Sequence, residues 1–119
     1  MDDMVEVGAA PERLAWDQVA AGFVVHLVAA MTGVAPRAIA LGTRAGPAAA
    51  RARQIAMYLA HTGLEWTLTR TGAAFGRHHS TVVHACRRVE NMREMRMFDV
   101  RIARLEACLR NLPLEGAPL

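Results

Sequence analysis

Apolar residues recur at helical spacing along most of the chain. From Pro11, which suits the first turn of a helix, Leu14, Val24, Leu27, Val28 and Met31 lay out a broad apolar face. Gly33 and Pro36 end that run. The stretch PRAIAL predicts a short further turn of helix, and GTRAGP, residues 42–47, reads as a Gly/Pro loop carrying Arg44. A second helix is predicted over about 49–62, with Ala52, Ile55, Ala56 and Leu59 inward and Gly63 as its stop. Thr67 suits the N-cap of a short helix through Phe75. Gly76 and Arg77 break the pattern, and a longer helix follows to about Arg93. The last helix runs from about Met97 to Leu112, where Phe98, Ile102, Leu105, Leu109 and Leu112 recur in a 4-3-4-3 stripe. Residues 1–10 read as a flexible acidic tail and 113–119 as a second tail, leaving 11–112 as one helical domain. No repeat and no convincing strand interrupts this pattern, so the expected class is all-α and compact.

Composition supports the class. The chain has 119 residues, room for one small domain with a core of its own. Apolar residues make up 53% of it but aromatic residues only 5%, and Ala, Val, Leu and Met supply most of the rest. The run from Val19 to Ala35 is apolar enough to weigh as a membrane span. It is rich in Ala and Gly, is interrupted by His26 and Thr32, and falls short of the ~20 strongly apolar residues a span needs. A buried core helix is the better reading, with no membrane partner. The acidic start MDDMVEVG does not fit the first part of a signal peptide. Cys86 and Cys108 are too few for a disulfide framework, sit at apolar helical positions and fit buried thiols in a reducing cytoplasm.

Charge changes the picture more. Net charge is +3, but residues 1–35 carry −4, residues 36–93 carry +7, and residues 94–119 are balanced. A basic middle suits an anionic partner, although charge alone leaves a merely solvated basic face equally open. Every basic residue is Arg and none is Lys. That excludes a P-loop and Schiff-base chemistry, which both need a lysine.

The basic character concentrates on the helix after Gly76. One side holds Val82, Ala85, Cys86, Val89 and Met92, the spacing of a buried stripe. The other holds Arg77, Ser80, Thr81, His84, Arg87, Arg88 and Asn91, all hydrogen-bonding and none acidic, with Glu90 off to one side. Short helix, glycine break and polar-faced helix form a helix-turn-helix pattern. The second helix of such a pair fits the DNA major groove, with its N-terminal residues at base edges and later arginines at phosphates. A metal site fits less well. His79 and His84 are rotated by about 140° on a helix, adjacent His78 and His79 diverge, and His84 and Cys86 point apart, whereas zinc needs a convergent set. Ser80 and His84 stand one turn apart without a carboxylate on their face, which leaves no catalytic set. No metal, cofactor or enzymatic activity is therefore expected.

Two stretches carry a resemblance. RARQIAMYLAH, followed after a spacer by AFGRHHSTVVHACRRVE, resembles the C-terminal DNA-binding domain of the bacterial chromosomal replication initiator DnaA. There the corresponding segments resemble ARPRQIAMYLA and FGGRDHTTVLHACRKIE. The resemblance covers roughly residues 24–112 and both motifs occur in order. It implies a Trp-repressor-like helical domain whose helix-turn-helix binds a nine-base-pair DnaA box in double-stranded DNA. It implies base or adjacent phosphate contacts for His79, Ser80 and Thr81, with Arg77 just before them. His84, Arg87 and Arg88 continue the same face. Arg53 and Gln54, with Arg51 beside them, match the part of the second helix that touches the DNA backbone. Arg44 lies in the loop from which a family arginine enters the minor groove.

The chain departs from the pattern in three places. One Gly is missing from the turn, His78 stands where the family has a base-contacting Asp, and the basic loop is thinned to GTRAGPAAARAR. His78 adds the expectation that binding tightens as pH falls. With no lysine for an ATPase site, the chain resembles small proteins carrying only this DNA-binding domain. The expected function is sequence-specific duplex binding in transcription or replication control, in the bacterial cytoplasm at the nucleoid. The alternative is a protein-interaction module. In that reading the stripe of the last helix forms a homodimer or docks on a replication protein, rather than packing on its own domain.

Overall fold

The computed structural model describes residues 2–112, with side chains from Pro11 onward. Six α-helices follow one another: α1 Asp2–Thr32, α2 Pro36–Leu41, α3 Pro47–Gly63, α4 Leu68–Phe75, α5 His79–Met92 and α6 Arg96–Arg110. No strand occurs among the described residues. The expected boundaries shift in two places. Residues 2–10, read above as a flexible tail, belong to α1, which passes through Pro11. Pro11 has no N–H to give to the carbonyl four residues back, so the helical ladder is broken once there. The stretch read as a loop after Leu41 holds a 3₁₀ turn, Gly42–Ala45, and Pro47 opens α3 ahead of the expected start. Proline's fixed φ suits that first position. The expected tail 113–119 lies outside the described residues.

Helix α3 is the hub. It packs against every other helix, and from Ile55 to Ala60 it is buried all the way round. Small residues make this possible. Ala49, Ala52, Ala56 and Ala60 recur at helical spacing and are 0–2% exposed. Gly63 lets α6 approach closely, since a Cβ there would stand 2.8 Å from a Leu109 methyl carbon. The core continues through Val24 and Val28 of α1, Ile39 of α2, Phe75 of α4, Val82, Ala85 and Val89 of α5, and Ile102 and Leu109 of α6.

The stripe of the last helix therefore has its partner within the domain. Ile102 and Leu109 are fully buried, and Phe98, Leu105 and Leu112 pack against the core. The stripe packs on its own domain, which leaves the alternative of a dimer through it without a free apolar face. The Pro11–Thr32 part of α1 is long and apolar enough to cross a membrane by length and composition. It is not the buried core helix expected: one side, with Ala20, Ala21, Val24 and Val28, turns into the core, while Val19 and Phe23 on the other are exposed. Asp17, near the start of that segment, is buried and accepts two hydrogen bonds from Arg70 of α4, at 2.9 and 3.0 Å. The Arg70 guanidinium also lies over the Trp66 ring, 4.7 Å from its centre. A bidentate pair of this kind fixes α1 on α4 in one register.

Candidate nucleic-acid interface

The turn between α4 and α5 is built from local chemistry. Thr67 caps α4, its hydroxyl accepting from the Arg70 N–H at 3.0 Å. Gly76 ends α4 in the left-handed region at φ 68°. Its N–H donates to Ala73 and the Arg77 N–H donates to Gly72, the paired pattern that closes a helix C-terminus. Gly72 is required for a separate reason. A Cβ there would stand 2.5 Å from the Arg77 carbonyl oxygen. The chain thus folds back against α4 within three residues, and α5 begins at His79.

His78 is the N-cap of α5. Its Nδ1 accepts from the Ser80 N–H at 3.2 Å and lies 3.0 Å from the Ser80 hydroxyl. A backbone N–H can only donate, so Nδ1 is the acceptor in this cap. His79 stacks beside it, ring centres 4.3 Å apart. An imidazole here does the capping that a carboxylate oxygen commonly does.

Beyond the cap, α5 separates its two sides as its pattern predicts. Val82, Ala85 and Val89 are buried, while Arg77, His78, His79, Ser80, Thr81, His84, Arg87 and Arg88 are all exposed. Glu90 is drawn aside, accepting from the Tyr58 hydroxyl at 2.7 Å. Of the two thiols expected to be buried, Cys108 is exposed and Cys86 half-buried. Burial, with Glu90 nearby, pushes the Cys86 thiol up to about 11, so it is neutral and unreactive at pH 7. Among the described residues no group of three or more His, Cys, Asp or Glu converges on a point. The exposed side of α5 offers donors and positive charge without a competing carboxylate.

The candidates outside α5 divide. Arg44 is exposed in the 3₁₀ turn and Arg51 is half-exposed on α3. Gln54 is half-buried with its Oε1 unpartnered among the described residues. Arg53 is corrected. It is 9% exposed and turned inward. One guanidinium nitrogen donates to the carbonyls of Ile39 at 3.1 Å and Ala40 at 2.6 Å, and the other donates to Phe75 at 2.7 Å. These carbonyls close α2 and α4, where helix dipoles favour a cation. Burial, with Arg77 adding repulsion, lowers its pKa. Arg53 holds the turn in place and does not present itself to a ligand. Gly72 was absent from the expected set, and its place one turn before Gly76 was the available sign of close backbone approach.

Comparison with known proteins agrees with this geometry. Residues 22–89 match the family model described as the bacterial DnaA protein helix-turn-helix. The chromosomal replication initiator protein DnaA 2 of Chlamydia pneumoniae is 58% identical over 40 residues, 34% of this chain and 9% of that protein. DnaA 1 of Protochlamydia amoebophila is 50% identical over 38 residues, 32% of this chain and 8% of that one. The chain thus aligns with under a tenth of the length of these relatives. A crystal structure of a DNA replication initiation factor superposes with a TM-score of 0.69 at 28% identity, over 83% of this chain and 30% of the other.

Proposed function

The chain belongs to the bacterial DnaA helix-turn-helix family, and from that premise we propose that it binds duplex DNA at a specific sequence without catalysing a reaction. The observation that carries this reading is the exposed side of α5, where His79, Ser80, Thr81 and His84 precede Arg87 and Arg88 with no free acid among them. The first turn of α5 enters the major groove and reads base edges. The arginines engage phosphates, which supplies affinity that falls steeply with salt. Arg44 reaches the minor groove from the 3₁₀ turn. The role is control of transcription or replication initiation at a DnaA-box-like site, exercised in the bacterial cytoplasm and without ATP hydrolysis.

Selection of bound sequences from a random duplex library tests this. Enrichment of one motif, TTATCCACA or a variant of it, is the expected result. No preference over random duplex at moderate salt overturns the reading. In the same assay Arg87→Ala weakens binding to all sequences, whereas His79→Ala or Ser80→Ala relaxes the motif.

A further inference from the structure

We infer that the outer face of α6 is a second phosphate-binding surface, which grips duplex DNA flanking the site read by α5. This rests on the reading of α5 as the DNA-binding helix. By sequence the C-terminal stretch is charge-balanced, so nothing in the charge count marks it. The fold sorts the charges. Asp99 and Glu106, the acids of α6, are both paired with Arg93, whose guanidinium donates to each, Glu106 from a nearly buried position and Asp99 from a half-exposed one. Glu106 also accepts from the Thr62 hydroxyl at 2.7 Å. Arg101 and Arg104, three residues apart and so neighbours on one side of α6, are exposed, as are Arg96 at its start and Glu94 just before it. Arg110 is set apart, 3.8 Å from the exposed Glu65.

Contacts along α3 show where α6 lies. Near its start, Arg53 ties down Phe75, just before the turn. At Tyr58 it meets the last turn of α5 through Glu90. At Thr62 and Gly63 it meets Glu106 and Leu109 of α6. Helix α6 therefore continues where α5 stops, farther from the recognition turn. Counted from Arg96, Arg101 and Arg104 stand about 8 and 12 Å along the helix axis. Phosphates reached from there lie beyond those that Arg87 and Arg88 engage.

The test compares two duplexes, one limited to the selected site and one with about ten further base pairs on each side, a helical turn. Wild type binds the longer duplex more tightly and with a steeper salt dependence. Arg101→Ala/Arg104→Ala removes that advantage, reducing the slope of log K against log salt by about two on the long duplex. It leaves the short duplex unchanged. Both residues are exposed, and an unchanged thermal midpoint confirms an intact fold. Equal behaviour of wild type and variant on the long duplex overturns the inference alone, as does an equal loss on both duplexes. Retention of a second, labelled duplex by the wild-type complex assigns the face to bridging and also overturns it. No binding of either duplex by wild type overturns the reading of α5 as well.

Discussion

The two ends of α3 are each fastened by a buried or half-buried arginine, and the fastenings differ in kind. Near its start Arg53 spends its hydrogen bonds on backbone carbonyls of Ile39, Ala40 and Phe75. Toward its end Arg93 reaches in from the α5–α6 turn and meets side chains: Asp99, Glu106 and the Tyr58 hydroxyl. Carbonyls do not titrate, whereas carboxylates and phenols do. The recognition turn therefore hangs on a tie indifferent to pH, and the α6 junction on one that responds to it. For Arg93, burial lowers the pKa, but its hydrogen bonds to Asp99, Tyr58 and Glu106 outweigh this and hold it above its ordinary value.

The largest expected effect comes from breaking the first tie. Arg53→Met keeps most of the stem and leaves three carbonyls without their donor. A loss of about 3 kcal/mol in urea denaturation is expected. Arg53→Lys recovers little of it, because one ammonium cannot span the ends of α2 and α4 as a planar fork does. Full stability of the lysine variant would show that charge alone, without the fork, holds the turn.

Gly72→Ala attacks the same end through packing. The added carbon meets the Arg77 carbonyl at 2.5 Å, and a backbone atom has little room to yield. Overpacking of this kind costs about 2 kcal/mol. The strain falls on the turn, so affinity for duplex drops even where the protein remains folded. Thermal denaturation and a duplex titration on one preparation separate the two losses. A variant as stable and as tight as wild type would mean the turn has slack.

The other end is probed at alkaline pH. Burial and the hydrogen bond to Glu90 raise Tyr58 to about 12 from an ordinary value of 10.0. In the unfolded chain the phenol ionises first, so folding loses stability as pH rises from about 10 to about 12. About 1–2 kcal/mol is at stake. Cys86, raised to about 11 from 9.0, has the same sign in a lower window. Tyr58→Phe removes the loss that belongs to the phenol, between about 10 and about 12, and keeps the part belonging to Cys86, between about 9 and about 11. An unchanged alkaline profile in that variant would place the titrating group elsewhere.

This contrast bears on how much the sequence discloses. The order of helices, the Thr67 cap, the Gly76 stop and the two sides of α5 follow from spacing and local chemistry, and the structure has them all. Arg53 was misread because a motif match gives a position along the chain and not a direction in space. Its carbonyl partners lie 14, 13 and 22 residues away and have no side-chain signature. The one-sided charge of α6 was hidden for a similar reason. Asp99 and Glu106 cancel arginines in a count, yet they are spent on Arg93, which lies outside their helix. Long-range pairing decides which charges remain exposed, and periodicity carries no information about it.

The smallest effect concerns His78, where the sequence suggested binding that tightens in acid. In the structure it caps α5, its Nδ1 accepting from the Ser80 N–H at 3.2 Å. A cap of this kind contributes about 0.5–1 kcal/mol. His78→Asp keeps an acceptor at that place and adds a negative charge that a helix N-terminus favours, so it is at least as stable as wild type. His78→Ala leaves the Ser80 N–H without its side-chain partner and loses that amount in thermal denaturation. Equal stability of all three would show that His78 does not cap the helix in solution. That outcome would return it to the role the family pattern suggested, a side chain free to meet a base.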